Sequence, residues 1–167
     1  MPDAVIRTAR LTLRRATWED LAAVHRVFSC PAAMRYWSRP EHETLDETRG
    51  WLAQLVDPAP DCVDFLIERD GEVIGKAGAW RLPEVGFILH PDHWHQGLAF
   101  EAMAGLIAHL AATHPDLPAL TAEVDPRNAA SLRLLARLGF TETHRASRTM
   151  QWRDEWCDSV YLRRPMP

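Results

Sequence analysis

A chain of 167 residues, 47% of them hydrophobic, is about one domain long and can bury a sizeable core without disulfides or a structural metal. Nineteen basic residues against 23 acidic, with no run of like charge, give no footing to nucleic acid or to an acidic membrane surface, so any anion has to be held locally. Cys30, Cys62 and Cys157 stand far apart with no CxxC, no apolar run reaches membrane length, and the charged MPDAVIRTARL start lacks the apolar stretch of a secretory signal; a soluble, cytoplasmic protein is expected.

Residues 10–15, RLTLRR, alternate apolar and polar and predict a strand. Thr17-Trp18-Glu19-Asp20 is a Thr-x-x-acid capping signal, opening a helix from Trp18 to about Phe28 with Leu21, Val24, Val27 and Phe28 on one face. Thr44-Leu45-Asp46-Glu47 repeats the signal and opens a second helix, carrying Trp51, Leu52 and Leu55 and ending before Pro58. Residues 29 to 44 between them are irregular and aromatic.

Val63, Phe65 and Ile67 alternate with polar neighbours, Asp70-Gly71 fits a two-residue hairpin turn, and residues 72–80 return as the partner strand. EVGFIL, residues 84–89, is a further strand after Leu82-Pro83. A helix from Ala99 to about Thr113 stops at His114-Pro115, residues 119–124 form a strand, and Asn128 caps a short helix that ends at Gly139. Residues 141–152 and 156–162 pair as two last strands across Arg153-Asp154-Glu155. With no linker and no repeat, residues 1–167 read as one mixed α/β domain of about seven strands and four helices.

HPDHWHQGLAF, residues 90–100, sets His90, His93 and His95 just before a glycine. An extended or turning loop scatters positions 0, 3 and 5, and no cysteine or paired carboxylate completes a metal site, so no metal is expected. Gly97-Leu98-Ala99 instead sits where a loop gives way to a helix. The first turn of a helix leaves backbone N–H groups unpaired at its positive end, where phosphate oxygens bind without lysine or arginine. An ordinary loop glycine is the alternative.

About thirty residues on lies NAASLRLLARLGF, residues 128–140. With this NxxSxxLLxxLGF pattern the chain resembles the GNAT acetyltransferase superfamily, and within it the RimJ/RimL type of N-acetyltransferase. The resemblance covers nearly the whole chain: TARLTLRRATWEDL is similar to the family's opening strand and helix, EVGFILHPDHWHQGLAFEA to its fourth strand and pyrophosphate loop, and EWCDSVYL to its last strand.

The resemblance implies a GNAT-like fold, its mostly antiparallel sheet splayed between the fourth and fifth strands, with acetyl-CoA bound as co-substrate in the gap. The backbone of Phe87, Ile88 and Leu89 would pair with the pantetheine arm, the amides of His95, Gln96, Gly97, Leu98, Ala99 and Phe100 would hold the pyrophosphate, and the Asn128 side chain would bond the cofactor. Read by itself, Asn128 is a helix cap.

Acetyl transfer to an amine needs a neutral amine, a polarised thioester and a proton for the thiolate. An amide near a bulge expected around Gly86 or Phe87 would polarise the carbonyl. Leu135 stands where the family often has a tyrosine, so Ser131 is the candidate in its place, as its counterpart is in the RimL-like branch; serine is a poor acid, so it donates a hydrogen bond to the thiolate or orders a water, and a solvated residue in the helix's first turn is the alternative. Glu84 is the candidate base, acting through water, with a surface ion-pairing role as its alternative. Trp94 departs from the Arg or Gln that many members carry, and is expected to pack beneath the loop.

The acceptor wall is assigned to the 29–44 segment, with Met34, Tyr36 and Trp37 foremost and Arg39 and His42 beside them; a plain hydrophobic cover is the other reading. The expected activity is acetyl-CoA-dependent N-acetylation of a primary amine, on a protein N-terminus or a small molecule. A non-catalytic acyl-CoA-binding module of the same fold is the rival. Aromatic residues near Trp152 and Trp156 allow a homodimer.

Overall fold

The computed structural model describes residues 5–167; residues 1–4 of the N-terminal reading lie outside it. Among these residues run β1 (Ile6–Arg7), β2 (Thr12–Arg14), α1 (Leu21–Phe28), α2 (Pro31–Met34), α3 (Leu45–Val56), β3 (Val63–Arg69), β4 (Glu72–Arg81), β5 (Glu84–Leu89), α4 (Leu98–Thr113), β6 (Ala119–Val124), α5 (Ala129–Arg137), β7 (Thr141–Trp152) and β8 (Glu155–Pro165).

Local chemistry explains most boundaries. The Thr44 hydroxyl accepts the Glu47 N–H at 3.2 Å while Glu47 Oε2 accepts the Thr44 N–H at 3.2 Å, a reciprocal cap that starts α3. At the first helix Asp20 accepts the Thr17 N–H at 2.8 Å, but Trp18–Asp20 form a 3-10 turn and the α-helix begins only at Leu21. Two additions exceed the expected count. Ile6 and Arg7 pair with Leu13 and Thr12, giving an eighth strand, and Pro31, preset at the first helical position, winds one turn of a fifth helix in the segment read as irregular.

The eight strands form one sheet in the order β1-β2-β3-β4-β5-β6-β8-β7, antiparallel throughout except for β5 beside β6. Helix α4 lies against one face, where Met103, Leu106 and Leu110 meet Phe65, Ile74 and Val85. Helices α1 and α3 cover the other, where Val24, Phe28 and Leu52 meet Cys62, Leu66 and Ile88. Because β3 and β4 are covered on both sides, Val63 through Ile67 are all buried, and alternation there reports only half of the core.

Candidate active site

β5 and β6 touch at one bridge, Glu84 opposite Thr121, where the Thr121 N–H donates to Pro83 O at 3.0 Å; beyond it the two strands part. On its other side β5 is registered with β4, Ile88 opposite Lys76, and the His90 N–H donates to Ile74 O at 2.9 Å. Peptide groups alternate in direction along a strand, so Gly86, Ile88 and His90 turn theirs to β4 while Phe87 and Leu89 turn theirs into the split. Backbone pairing in the split therefore rests on Phe87 and Leu89, and Ile88, expected to share it, is already committed to β4. Leu89 O accepts Trp94 Nε1 at 2.9 Å. Trp94 thus ties the loop to the strand end with its ring 40% exposed, instead of packing beneath the loop.

The bulge expected in β5 is on its neighbour. Gly78 pairs with Gly86 and Arg81 with Glu84, so β4 carries one extra residue between these pairs. Parity of the pairing gives the Phe87 amide, and not that of Gly86, the direction into the split.

The stretch before α4 is a cradle of amides. His95 has φ 59° and Gly97 φ 75°, both left-handed, with Gly97 as the N-cap of α4. Such a turn points successive N–H groups to one side. Among the described residues no backbone acceptor meets the N–H groups of His95 through Phe100. Arg10 and Glu101 brace the loop from below: Arg10 Nη1 donates to Gln96 O at 2.9 Å, and its Nε donates to Glu101 Oε2 at 2.7 Å. Arg137 of α5 reaches across to the Phe100 ring, 4.3 Å from its centroid.

His90 accepts the Asp92 N–H on Nδ1 at 3.2 Å, and His95 stands edge-on to Trp94. Among the described residues no three His, Cys, Asp or Glu side chains converge as a metal site.

At α5 the Asn128 Oδ1 accepts the Ser131 N–H at 3.3 Å, which leaves its amide NH2 free to point elsewhere. The half-buried Ser131 lies in the first turn, and Leu135 is sealed in the core at 1% exposure. Asp125 holds the approach to the cap, accepting Arg127 N at 2.9 Å and Arg127 Nη2 at 2.7 Å.

Glu84 opens on the face opposite α4. Although its outer side is open to solvent, burial of the carboxyl, and then the nearness of Glu123, hold it above the usual carboxylate range. Glu123 lies across the split on β6, accepting the Ser159 hydroxyl at 2.6 Å. Trp37 stands over Gly86, its ring 3.9 Å from where a β-carbon would sit. That is ordinary contact, so close packing does not dictate the glycine.

Tyr36 faces Arg35 and Arg127, towards the Asn128 loop. Met34 is a correction: fully buried against α1 and α3, it is core and cannot line an open wall. His42 is likewise buried, stacked on Phe28 behind that wall, and Arg39 pairs with Glu47 at 3.7 Å.

Four contributors escaped the sequence reading: Glu123, Arg137, and the buried pair Asp64 and Lys76. All occupy positions that periodicity marks as polar, so nothing in the pattern separated them from a solvated face. The one faint signal was Lys76, a single lysine beside 18 arginines.

Residues 10–141 match the family model described as an acetyltransferase (GNAT) domain. The chain belongs to the GNAT acetyltransferases. A curated relative, the uncharacterized N-acetyltransferase p20 of Bacillus licheniformis, is 28% identical over 143 residues, covering 80% of each chain. Among solved structures, the Salmonella typhimurium acetyltransferase that modifies the N-terminal serine of ribosomal protein L7/L12 superposes with a TM-score of 0.87 at 19% identity, covering 98% of this chain and all of that one. Spermidine N-acetyltransferase of Vibrio cholerae, in complex with CoA and spermine, superposes at 0.80 with 20% identity, over 95% and 96% of the two chains. At those identities the likeness is one of fold. Among the described residues of this acetyltransferase, no helix is long and apolar enough to cross a membrane.

Proposed function

We propose that this acetyltransferase moves an acetyl group from acetyl-CoA directly to a primary amine, on a protein N-terminus or a small molecule. The observation that carries the reading is the split between β5 and β6, which leaves the backbone of Phe87 and the N–H of Leu89 unpaired, in line with the free amides of His95 through Phe100. The thioester supplies the acetyl carbon. The chain supplies the rest: the cradle takes the pyrophosphate at the positive end of α4, the free amide NH2 of Asn128 bonds the pantetheine arm, and the Phe87 N–H donates to the thioester oxygen as negative charge develops there.

The amine approaches from the face of Glu84 and Trp37. Its lone pair forms the new C–N bond and the C–S bond breaks. Glu84, acting through water, takes the amine proton, and its raised affinity for protons suits it to that task. Ser131 hydrogen-bonds the departing sulfur and orders a water that gives it a proton, balancing the one Glu84 takes from the amine; with Leu135 buried, no phenol comes from that position. The three free cysteines agree with a cytoplasmic setting, and Trp156, 47% exposed, is where a homodimer would close.

The test is incubation with acetyl-CoA and a panel of amines, reading thiol release together with the mass of the acetylated acceptor. Both signals for at least one amine are expected. Saturable CoA binding without thiol release for any acceptor would leave the chain an acyl-CoA-binding module.

A further inference from the structure

On the acceptor face a row of three residues crosses the sheet: Asp64 of β3 opposite Gly78 of β4, and Gly78 opposite Gly86 of β5. Registered partners point to the same face. Two of the three have no side chain, so over the two strand spacings, ~10 Å, from Asp64 to the split, β4 and β5 put no side chain of their own into this corridor. Trp37 roofs the end over Gly86, and among the described residues its ring is what comes within 4 Å of a β-carbon there.

Asp64 leans into this corridor. Its Oδ1 lies 2.5 Å from where a β-carbon on Gly78 would sit, and the Asp64 Cα and Val63 carbonyl crowd the same point, so the close backbone of β3 together with the carboxylate requires a glycine there. Its Oδ2 is ion-paired with Lys76, whose ammonium sits 5.4 Å from the Trp37 ring centre and 6.0 Å from that of Trp51. Asp64 is 2% exposed and its Oδ1 has no hydrogen-bond partner. A buried carboxylate oxygen without a donor is costly, and a carboxylate has lone pairs to spare after one ion pair.

We propose that Asp64 Oδ1 receives a second hydrogen-bond donor of the acceptor, an ammonium lying about one strand spacing, ~5 Å, from the reacting nitrogen. This rests on the acetyl-transfer reading, which puts the reacting nitrogen above Gly86. Lys76 is then a positioning residue that fixes the carboxylate and leaves one oxygen for the substrate. Glu84 and Glu123 flank the mouth and favour a cation. The acceptor class is a short diamine, or a primary amine carrying a cationic donor at that separation, and a carboxylate there is repelled.

Three acceptors built on the same three-carbon chain separate the possibilities: 1,3-diaminopropane, propylamine and β-alanine. A hydrogen bond to a buried charged group predicts kcat/KM for the diamine at least about tenfold above propylamine, with β-alanine last. Calorimetric binding of the same three compounds reads the site without turnover.

The paired variant Asp64→Val/Lys76→Met removes both charges together, which buried ion pairs often tolerate, and should bring diamine and propylamine within about threefold of each other. Its thermal melt checks the fold. Gly86→Ala serves if that variant fails to fold, since its methyl meets Trp37 at 3.9 Å but stands in the corridor, and it should narrow the same preference.

Equal rates and affinities for diamine and propylamine in the wild type would overturn the proposal, Oδ1 then holding a structural water. A preference that persists in the paired variant, or undiminished in Gly86→Ala if the paired variant does not fold, would overturn it too. If no amine is acetylated at all, the acetyl-transfer reading fails, while tight diamine binding lost in the variants would still assign Asp64 its ligand.

Discussion

Acidification from pH 7 to pH 5 should destabilise the protein through His42, the imidazole behind the acceptor wall. His42 is 2% exposed, stacked on Phe28, and its Nδ1 lies 2.8 Å from the Thr48 hydroxyl, which also lies 2.6 Å from His25 Nδ1. Burial, followed by the charge of Arg39, lowers its pKa from 6.5 to about 4. Below pH 6.5 the unfolded chain takes up a proton that the folded chain refuses until about pH 4. Stability is therefore full above 6.5, falls as pH drops through that window and levels off below it.

Between pH 7 and pH 5 the loss from this one group is about 2 kcal/mol, an upper figure because the loop charges around it are screened. Against a total of about 5–15 kcal/mol that is a large share. In urea unfolding it moves the midpoint by about 1 M for a slope near 2 kcal/mol/M. His42→Phe keeps the stack on Phe28 and cannot titrate. The two proteins differ by this one imidazole, so the difference between their pH 7 to pH 5 shifts reports His42 together with its coupling to Glu47 and His25. Parallel losses in wild type and His42→Phe would refute the reasoning.

Gly97→Val should abolish saturable CoA binding by calorimetry: a β-branched residue at φ 75° is strained by about 1–2 kcal/mol, and its side chain, with a β-carbon 3.5 Å from Arg10 Nη2, displaces the brace that holds the cradle in shape. Asn128→Ala should weaken CoA binding about tenfold and also cost about 1 kcal/mol of stability through the lost cap; Asn128→Asp keeps the cap and should restore the melting temperature but not the affinity. Ser131→Ala should lower turnover more than CoA affinity, and an unchanged kcat removes the serine from the mechanism. Glu84→Gln should erase the acid limb of kcat/KM against pH. Glu123→Gln, by removing a like charge, should move that limb to lower pH.

Much of this architecture was legible because the chain marks its own boundaries. The Thr-x-x-acid boxes, Asp70-Gly71 and the glycine before α4 state local backbone geometry, which neighbours do not override, and β5, β6 and β7 begin and end where their patterns do. Pairing was less legible. That β4 and not β5 carries the extra residue depends on how two strands meet, and either strand alone reads as regular. Ile88 and Met34 were misjudged for related reasons. The direction of a peptide group is set by which neighbour it bonds, and an aromatic-rich loop conceals that one of its members is core.

The two faces of the sheet divide the labour, and that division explains why the pattern exposed the cofactor side better than the acceptor side. Against α4 the residues are apolar, and their packing holds β5 and β6 apart past the Glu84–Thr121 bridge; the cradle that follows is built from backbone, which glycines and caps announce. Against α1 and α3 the same strands carry Asp64, Lys76, Glu84 and Glu123. Every one sits at a position where alternation predicts solvent, yet Asp64 and Lys76 are buried, with the Lys76 ammonium under Trp37 of the 31–44 segment and Trp51 of α3. On the proposed reading, selectivity for the amine depends on a cover whose fold is set by tertiary contacts such as Phe28 against Trp51 and His42, not by local propensity. The same reading predicts that a substitution in that cover changes the acceptor while leaving the cradle of α4 untouched, so that one proposed cofactor site would serve different amines.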